Sequence, residues 1–325
     1  MQKKVNFLED NEDLLFQLNN RIDFEAAFEW ISDDVKEAIG CNTAEEFKAT
    51  GVDILTALGE ITGSVIAPNQ EKVEKELPKI VDGEVELGET VQSNIKQLVD
   101  FGVSSLSGKP RHGGMGAPFF LETVALEMIH RSCPSTGLNV VWYGSICHIL
   151  ESFASLEQQA RICPRMVSGE WSGSMCLTEP DCGSDLGAIR SYGTVQEDGT
   201  YKINGTKRFI SNGAGEVALV LAMKEKGVSG LENLCLFVCL RHKEDGSPNF
   251  NVTKLEDKLA MHGSATAELT FDDANAELLG EVGAGFKYML HLMNDARIGT
   301  AFQAIGMMAV SKRLARQFAE DRKTW

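Results

Sequence analysis

The sequence predicts a multidomain α+β protein built in the order helix, β, helix. Three observations carry that reading. Apolar residues recur at helical spacing from the start of the chain to about residue 167. Segments from Ser168 to about Ala274 are short, extended and bounded by Gly, Asn and Asp. From Gly283 the helical pattern returns. Short strands with no helices between them predict an antiparallel β-domain, and no G-x-G-x-x-G occurs that would favour a dinucleotide-binding α/β unit.

In the first part, Leu14, Leu15, Leu18 and Ile22 keep helical spacing, and Phe24, Phe28 and Ile31 continue it. Asn42-Thr43 ahead of Ala44-Glu45-Glu46 reads as a helix start with a carboxylate at capping-box distance. The helix that follows is expected to stop at Ala67-Pro68-Asn69, and Lys79 to Glu89 reads as a charged surface loop. A glycine-dense loop, 108–116, then leads into an apolar helix from Phe119 to Ile129. That loop lacks the G-x-x-x-x-G-K-[ST] pattern of a phosphate cradle. Helices over 137–153 and 155–167 complete this part. In the β region, Asn204-Gly205 between two extended runs predicts a type I′ hairpin, and 217–223, 234–240 and 267–271 read as strands. A long helix opens at 283–286 and runs toward residue 319. The implied boundaries are 1–45 for an N-terminal extension, 46–167 helical, 168–280 β, and 281–325 helical.

Composition narrows the function. Of 325 residues, 43% are hydrophobic and 24% charged, as in ordinary globular proteins, and the net charge is −16. That acidic balance argues against a nucleic-acid partner and an anionic membrane surface. The cysteines at 41, 133, 147, 163, 176, 182, 235 and 239 form no C-x-x-C and meet no histidine at zinc spacing, so no metal site is expected. Scattered in apolar segments, they suit a reducing compartment. With no signal-peptide core at the N-terminus and no run approaching the roughly 18 apolar residues of a membrane span, the expected location is cytoplasmic, without membrane insertion.

The chemistry gathers at 175–191, MCLTEPDCGSDLGAIRS. Pro180 fixes its own backbone and pushes Glu179 toward an extended conformation, so the strand ends there. A polar turn follows in which Gly183 lets a ligand approach the main chain, flanked by the hydroxyls of Thr178 and Ser184. Such a turn suits a polar, electron-accepting ring or a carbonyl oxygen.

L-T-E-P-x-x-G-S-D resembles the flavin-contacting signature of the acyl-CoA dehydrogenases, and order and spacing agree elsewhere. Similar pieces are APNQEKVEK (67–75), the Gly-Gly-Met-Gly loop and its helix, 156–171, INGTKRFISNGA (203–214), 257–274, 278–297 and FAEDRKTW (318–325). Residues 1–45 resemble the extension of larger members. The resemblance implies an N-terminal helical domain, a central β-domain and the start of a C-terminal four-helix bundle. It also implies oxidation of an acyl-CoA to the 2-enoyl-CoA: FAD accepts the β-hydride, a carboxylate removes the α-proton, and an electron-transfer flavoprotein reoxidises the flavin. Sister flavoenzymes of the same fold (an acyl-CoA oxidase or a flavin monooxygenase) and a non-catalytic flavin or acyl-CoA binding protein are the alternatives.

Carried over position by position, the resemblance puts Thr178 and the backbone around Leu177 on the isoalloxazine, with Met175 beside it. Gly183 and Ser184 fall where the family meets cofactor phosphates and acyl-CoA. Phe209 stands where an aromatic covers the flavin, followed by Ile210 and by Ser211 in place of a common threonine. Asn294 and Arg297, one turn apart, match positions that reach CoA, with Phe286 and Leu290 on the same helix toward the substrate. Arg322, Thr324 and Trp325 match a motif that contacts the FAD of a neighbouring subunit, which implies a homodimer or homotetramer. The α-proton base is the departure. A minority of the family carries it on this helix, but the matching residue is Ala296, and Asp295 is turned about 100° away. The base is therefore expected beyond Trp325, and the apolar face of Phe286, Leu290 and Met293 is expected to lie uncovered.

Overall fold

The computed structural model describes residues 5–228 and 230–323. Its helices are α1 (Glu12–Asn20), α2 (Phe24–Trp30), α3 (Asp33–Ile39), α4 (Ala44–Ile61), α5 (Gln70–Lys75), α6 (Glu89–Phe101), α7 (Phe119–Ser132), α8 (Pro134–Phe153), α9 (Leu156–Val167) and α10 (Gly285–Asp321). Strands β1 (Lys79–Val81) and β2 (Glu84–Glu86) form a hairpin. The main sheet holds β3 (Gly173–Cys176), β4 (Tyr192–Val195), β5 (Tyr201–Ser211), β6 (Val217–Met223), β7 (Leu234–Leu240), β8 (Asn251–Leu255) and β9 (Thr266–Leu279). The order of helices, sheet and helix follows the sequence.

Local signals explain most helix boundaries. Thr43 accepts from Glu46 N at 3.1 Å, and Glu46 reaches back to Asn42 N at 2.7 Å, which satisfies two otherwise orphaned donors at the start of α4. Ser155 and Gln158 build a full capping box on α9. Two expectations fail nearby. Ala67-Pro68-Asn69 does not end the helix. Pro68 sits at the start of a 3₁₀ turn, where its missing N–H costs nothing, and the run Ala44–Lys75 continues through a π-turn at Thr62–Ile66. By length and composition that run could cross a membrane, contrary to the sequence reading. Its Phe47, Leu55, Leu58, Ile66 and Val73 are instead buried in the first core. The supposed loop at 79–89 contains the β1–β2 hairpin, turned by Asp82 and Gly83, both at positive φ.

The first core also takes in Phe7, Leu8, Leu14, Leu18 and Phe24, so the N-terminal stretch packs into the helical layer. Arg131 on α7 anchors it. Arg131 is buried, donates to both Asp10 carboxylate oxygens at 2.9 and 3.0 Å and to the Phe7 carbonyl at 3.0 Å, and lies over the Phe7 ring at 4.0 Å.

The sheet runs β3-β6-β4-β5-β9-β7, with β8 on β9, and β6 also pairs with β7. That last pairing closes five strands into a ring around a third core containing Ile203, Phe237, Leu269 and Phe271. The pairing is mostly antiparallel, but β3 and β4 both run parallel to β6, which corrects the all-antiparallel expectation. Asn204-Gly205 is not a hairpin turn. The two residues lie inside the continuous strand β5, at a shift in its register with β9. Gly205 has φ +142 there, and a Cβ would stand 2.1 Å from Ser191 Oγ, so the glycine serves a bulge and a close approach.

The outer sheet face, with Leu219, Leu236 and Val238, packs on α8, α9 and α10 in the second core. Phe286 and Met293 of α10 pack against this core and Leu290 is half-buried, so the face expected to be uncovered is partly covered. The exposed apolar side chains of α10 lie farther along, at Ile298, Ile305, Met308, Leu314 and Phe318. Where α10 crosses α7, a Cβ on Gly306 would meet the Glu127 carbonyl oxygen at 2.5 Å.

Removing Asp10 leaves the Arg131 guanidinium buried without its charge partner. Asp10→Ala is expected to lower urea stability by about 3 kcal/mol, whereas Glu71→Ala, which breaks an exposed pair with Lys75, is expected to leave the urea midpoint nearly unchanged.

Candidate active site

The site is built where β3 leaves the sheet. Past Cys176 the chain bends at Glu179, whose N–H donates to the Cys182 carbonyl at 2.8 Å while Cys182 N–H donates back at 3.2 Å. Pro180, Asp181, Gly183 and Ser184 therefore project as an exposed turn, or at its margin. Asp185 caps the short turn that follows by accepting from Gly187 N at 3.0 Å, and Arg190 pairs with Asp181 at 2.8 Å.

A buried ion pair holds this bend against β5. Lys207 Nζ donates to Glu179 Oε1 at 2.8 Å and to the Leu177 carbonyl at 2.9 Å, and Lys207 is wholly buried. Glu179 also accepts from Arg190 N at 2.7 Å and Ser191 N at 3.1 Å. Burial works to raise the Glu179 carboxyl, but the Lys207 charge and the donated hydrogen bonds prevail and hold it below the usual carboxylate range. Two further bonds stitch β3 to β5. Arg208 N donates to the Thr178 carbonyl at 2.8 Å, and Asn212, buried at φ +54, donates to the Gly173 carbonyl at 2.8 Å.

Between these ties the register of β5 slips from Lys207 to Ile210. Phe209 absorbs the slip at φ +59, a strained conformation for a bulky residue, and its ring is 56% exposed with the Arg208 guanidinium 4.9 Å from its centre. The opposing side chains of Met175, Thr178 and Ser211 are half-buried. The Arg208–Thr178 bond thus sets Thr178 beside Phe209, with Ser211 two residues farther along β5 and Met175 on β3. Ile210 and Leu177 point into the third and second cores, which leaves only their backbone for a ligand. Gly183 lies so close that a Cβ would approach Thr178 Cγ2 to 3.2 Å.

The residues expected on α10 form a separate group. Asn294 and Arg297 are both exposed, and Arg297 donates to Asn294 Oδ1 at 2.8 Å. Among the described residues, no hydrogen bond joins this pair to Ser184. Asp295 is engaged by His148 Nδ1 of α8 at 3.0 Å, which seats α10 against its neighbour. Glu122 of α7 faces the same seam, and burial pushes its carboxyl up to about 7 despite a hydrogen bond from Ser107. Arg322 is exposed just past α10, with its N–H on the Phe318 carbonyl at 2.9 Å, while Thr324 and Trp325 lie outside the described residues.

Family models described as the acyl-CoA dehydrogenase N-terminal domain and middle domain match residues 64–170 and 174–274. The chain belongs to the acyl-CoA dehydrogenase family. Similar proteins include 3-methylmercaptopropionyl-CoA dehydrogenase of Ruegeria pomeroyi, 34% identical over 82% of this chain and 47% of that protein. An acyl-CoA dehydrogenase of Bacillus subtilis is 32% identical over 70% of this chain and 60% of its own length. The chain thus spans about half the length of the first relative and three fifths of the second. The solved butyryl-CoA dehydrogenase of Megasphaera elsdenii superposes with a TM-score of 0.73 at 25% identity, covering 91% of this chain and 71% of that one. The cofactor that goes with family membership is FAD.

The sequence reading missed Lys207, Asn212 and the His148–Asp295 contact. Lys207 was legible in principle: a lysine in a strand beside a turn glutamate is a candidate buried pair.

The raised Glu122 carboxyl makes a stability prediction with a definite sign. The folded state holds its proton between the usual carboxylate range and pH 7, so stability falls as pH rises across that interval, by at most about 3 kcal/mol. Glu122→Gln is expected to remove that slope, raising the melting temperature at pH 8 but not at pH 4. A variant whose melting temperature relative to the parent is the same at both values would contradict the assignment.

Proposed function

We propose that this chain forms the flavin and acyl-CoA site of an FAD-dependent acyl-CoA dehydrogenase, which converts an acyl-CoA thioester to the trans-2-enoyl-CoA and passes electrons to an electron-transfer flavoprotein. One observation carries the reading. A large aromatic ring, Phe209, is held exposed at a strained backbone angle beside Thr178, on a bend fixed by a buried ion pair. An exposed ring so held suits a planar partner to cover.

The residues fit FAD. The Thr178 hydroxyl and the backbone at Leu177 would hydrogen-bond the isoalloxazine, Phe209 would cover it, and Met175, Ser211 and the Ile210 backbone would line it. The open backbone at Gly183, with Ser184, would take phosphate or thioester oxygens. FAD bound there supplies the hydride acceptor. Asn294 and Arg297 are preorganised by their own hydrogen bond to grip the CoA moiety, with Phe286 and Leu290 toward the acyl chain. Abstraction of the α-proton needs a carboxylate against the α-carbon. Ala296 cannot act, and Asp295 is held by His148. The base would therefore lie downstream of Trp325, these 325 residues would be without turnover, and Arg322, Thr324 and Trp325 would meet the FAD of a neighbouring subunit in a cytoplasmic homodimer or homotetramer. The match to the Megasphaera elsdenii butyryl-CoA dehydrogenase supports the reaction class, and the acyl group stays open.

The test is a flavin fluorescence titration with an acyl-CoA and dye assay alongside. Thr178→Ala and Phe209→Ala are each expected to weaken FAD binding about tenfold, the worth of one hydrogen bond or stacking contact, with no dye reduction by the 325-residue chain. Unchanged affinity in both variants would refute the site, and measurable turnover would refute the placement of the base.

A further inference from the structure

A large cavity of the described residues reaches Asn212, at the far end of the flavin edge. It measures about 710 Å³ and opens between the β1–β2 hairpin, α6, the first half of α8 and the start of β3. Its volume falls in the range of small-molecule sites. Val85, Ile95 and Val99 give it apolar walls, and Asn139, Tyr143 and Glu216 supply its polar groups.

Those polar groups have one-sided needs. Asn139 is 3% exposed and donates through Nδ2 to the Ser135 carbonyl at 2.8 Å, which fixes the amide. Its Oδ1 is buried and accepts from no donor among the described residues. A buried amide oxygen without a donor is destabilising. Glu216 accepts from Ser172 N at 2.7 Å through one oxygen, burial raises its carboxyl, and no Lys, Arg or His of the described residues stands within ion-pair distance to hold its charge. Of the other charges at the rim, Glu86 is a second carboxylate without an ion pair among the described residues, and the rest are matched. Lys96 pairs with Asp100 at 2.7 Å, and Glu84 is held by Arg241 at 2.9 Å. Burial and the Glu216 charge push the Tyr143 phenol up to about 12, so it stays neutral at pH 7 and can share a proton with a ligand.

We infer that this cavity binds a small organic cation, an ammonium group carrying an apolar tail, with the ammonium donating to Glu216 and Asn139 and the tail lying on Val85, Ile95 and Val99. An ammonium offers three donors and one positive charge, which meets both the unpaired carboxylate and the donor-free amide oxygen. An anion would face Glu216 directly, and a neutral alcohol would leave its charge uncompensated. The site stands independently of the flavin assignment.

The test uses n-hexylammonium, n-hexanol and n-hexanoate as matched probes on the unmutated 325-residue protein, read by chemical-shift perturbation at Asn139 and Tyr143. Hexylammonium is expected to bind at least about tenfold more tightly than either control, the worth of one charge-assisted hydrogen bond. Glu216→Gln and Asn139→Leu, each checked for folding, are expected to remove that preference. Equal affinity for the three probes, no binding of hexylammonium, or an undiminished preference in a folded Glu216→Gln protein would overturn the proposal. The probe comparison decides the matter even if neither variant folds.

Discussion

The bend at the end of β3 depends on one buried ion pair. Taking a carboxylate and an ammonium out of water costs several kcal/mol per ion, and mutual attraction offsets that only when the remaining hydrogen-bonding capacity is filled. Here it is largely filled: Glu179 receives two backbone N–H groups besides Lys207, and Lys207 reaches the Leu177 carbonyl as well. The result is positional. The pair locks the turn to β5 at a spot where neither has a regular ladder, and the Asn212 tie to Gly173 fixes the other end. Thr178 and Phe209 inherit their places from those two ties.

The helical side is seated by different physics. α10 is held by close approach at Gly306, by apolar packing of Tyr288, Met289 and Leu292 on the sheet and α8, and by the His148–Asp295 bond. The seat leaves Asn294 and Arg297 facing outward. Two rigid parts, the sheet edge and the helix face, therefore carry the two halves of the proposed site, which suits a ligand that must be gripped at one end and aligned at the other.

Much of this was legible in the sequence. The order of helix, β and helix, the strands at 217–223 and 234–240, and the turn after Thr178 follow from periodicity and from Pro and Gly placement. The failures share a cause: local signals overruled by tertiary pairing. Asn204-Gly205 has hairpin chemistry, but its neighbours pair with β9 on a longer strand, so only Gly205 takes a positive φ, +142, and it serves a bulge. Pro68 breaks helices in the interior but is neutral at a helical start, and the sequence alone does not say which applies. The antiparallel expectation missed two parallel pairings because β3 and β6 are separated by two other strands, beyond the reach of any turn signal. Phe209 was recognised by its surroundings, whereas its strained backbone and exposure became visible only in three dimensions.

The most direct test of this account is the FAD affinity of Lys207→Met, measured by flavin fluorescence on protein whose β-sheet content is unchanged by circular dichroism. If the ion pair positions the flavin edge, affinity should fall at least about tenfold, because a buried, unpaired Glu179 reorganises the bend. Full affinity in a folded Lys207→Met protein would show that the bend holds its shape without the pair, and would contradict the account.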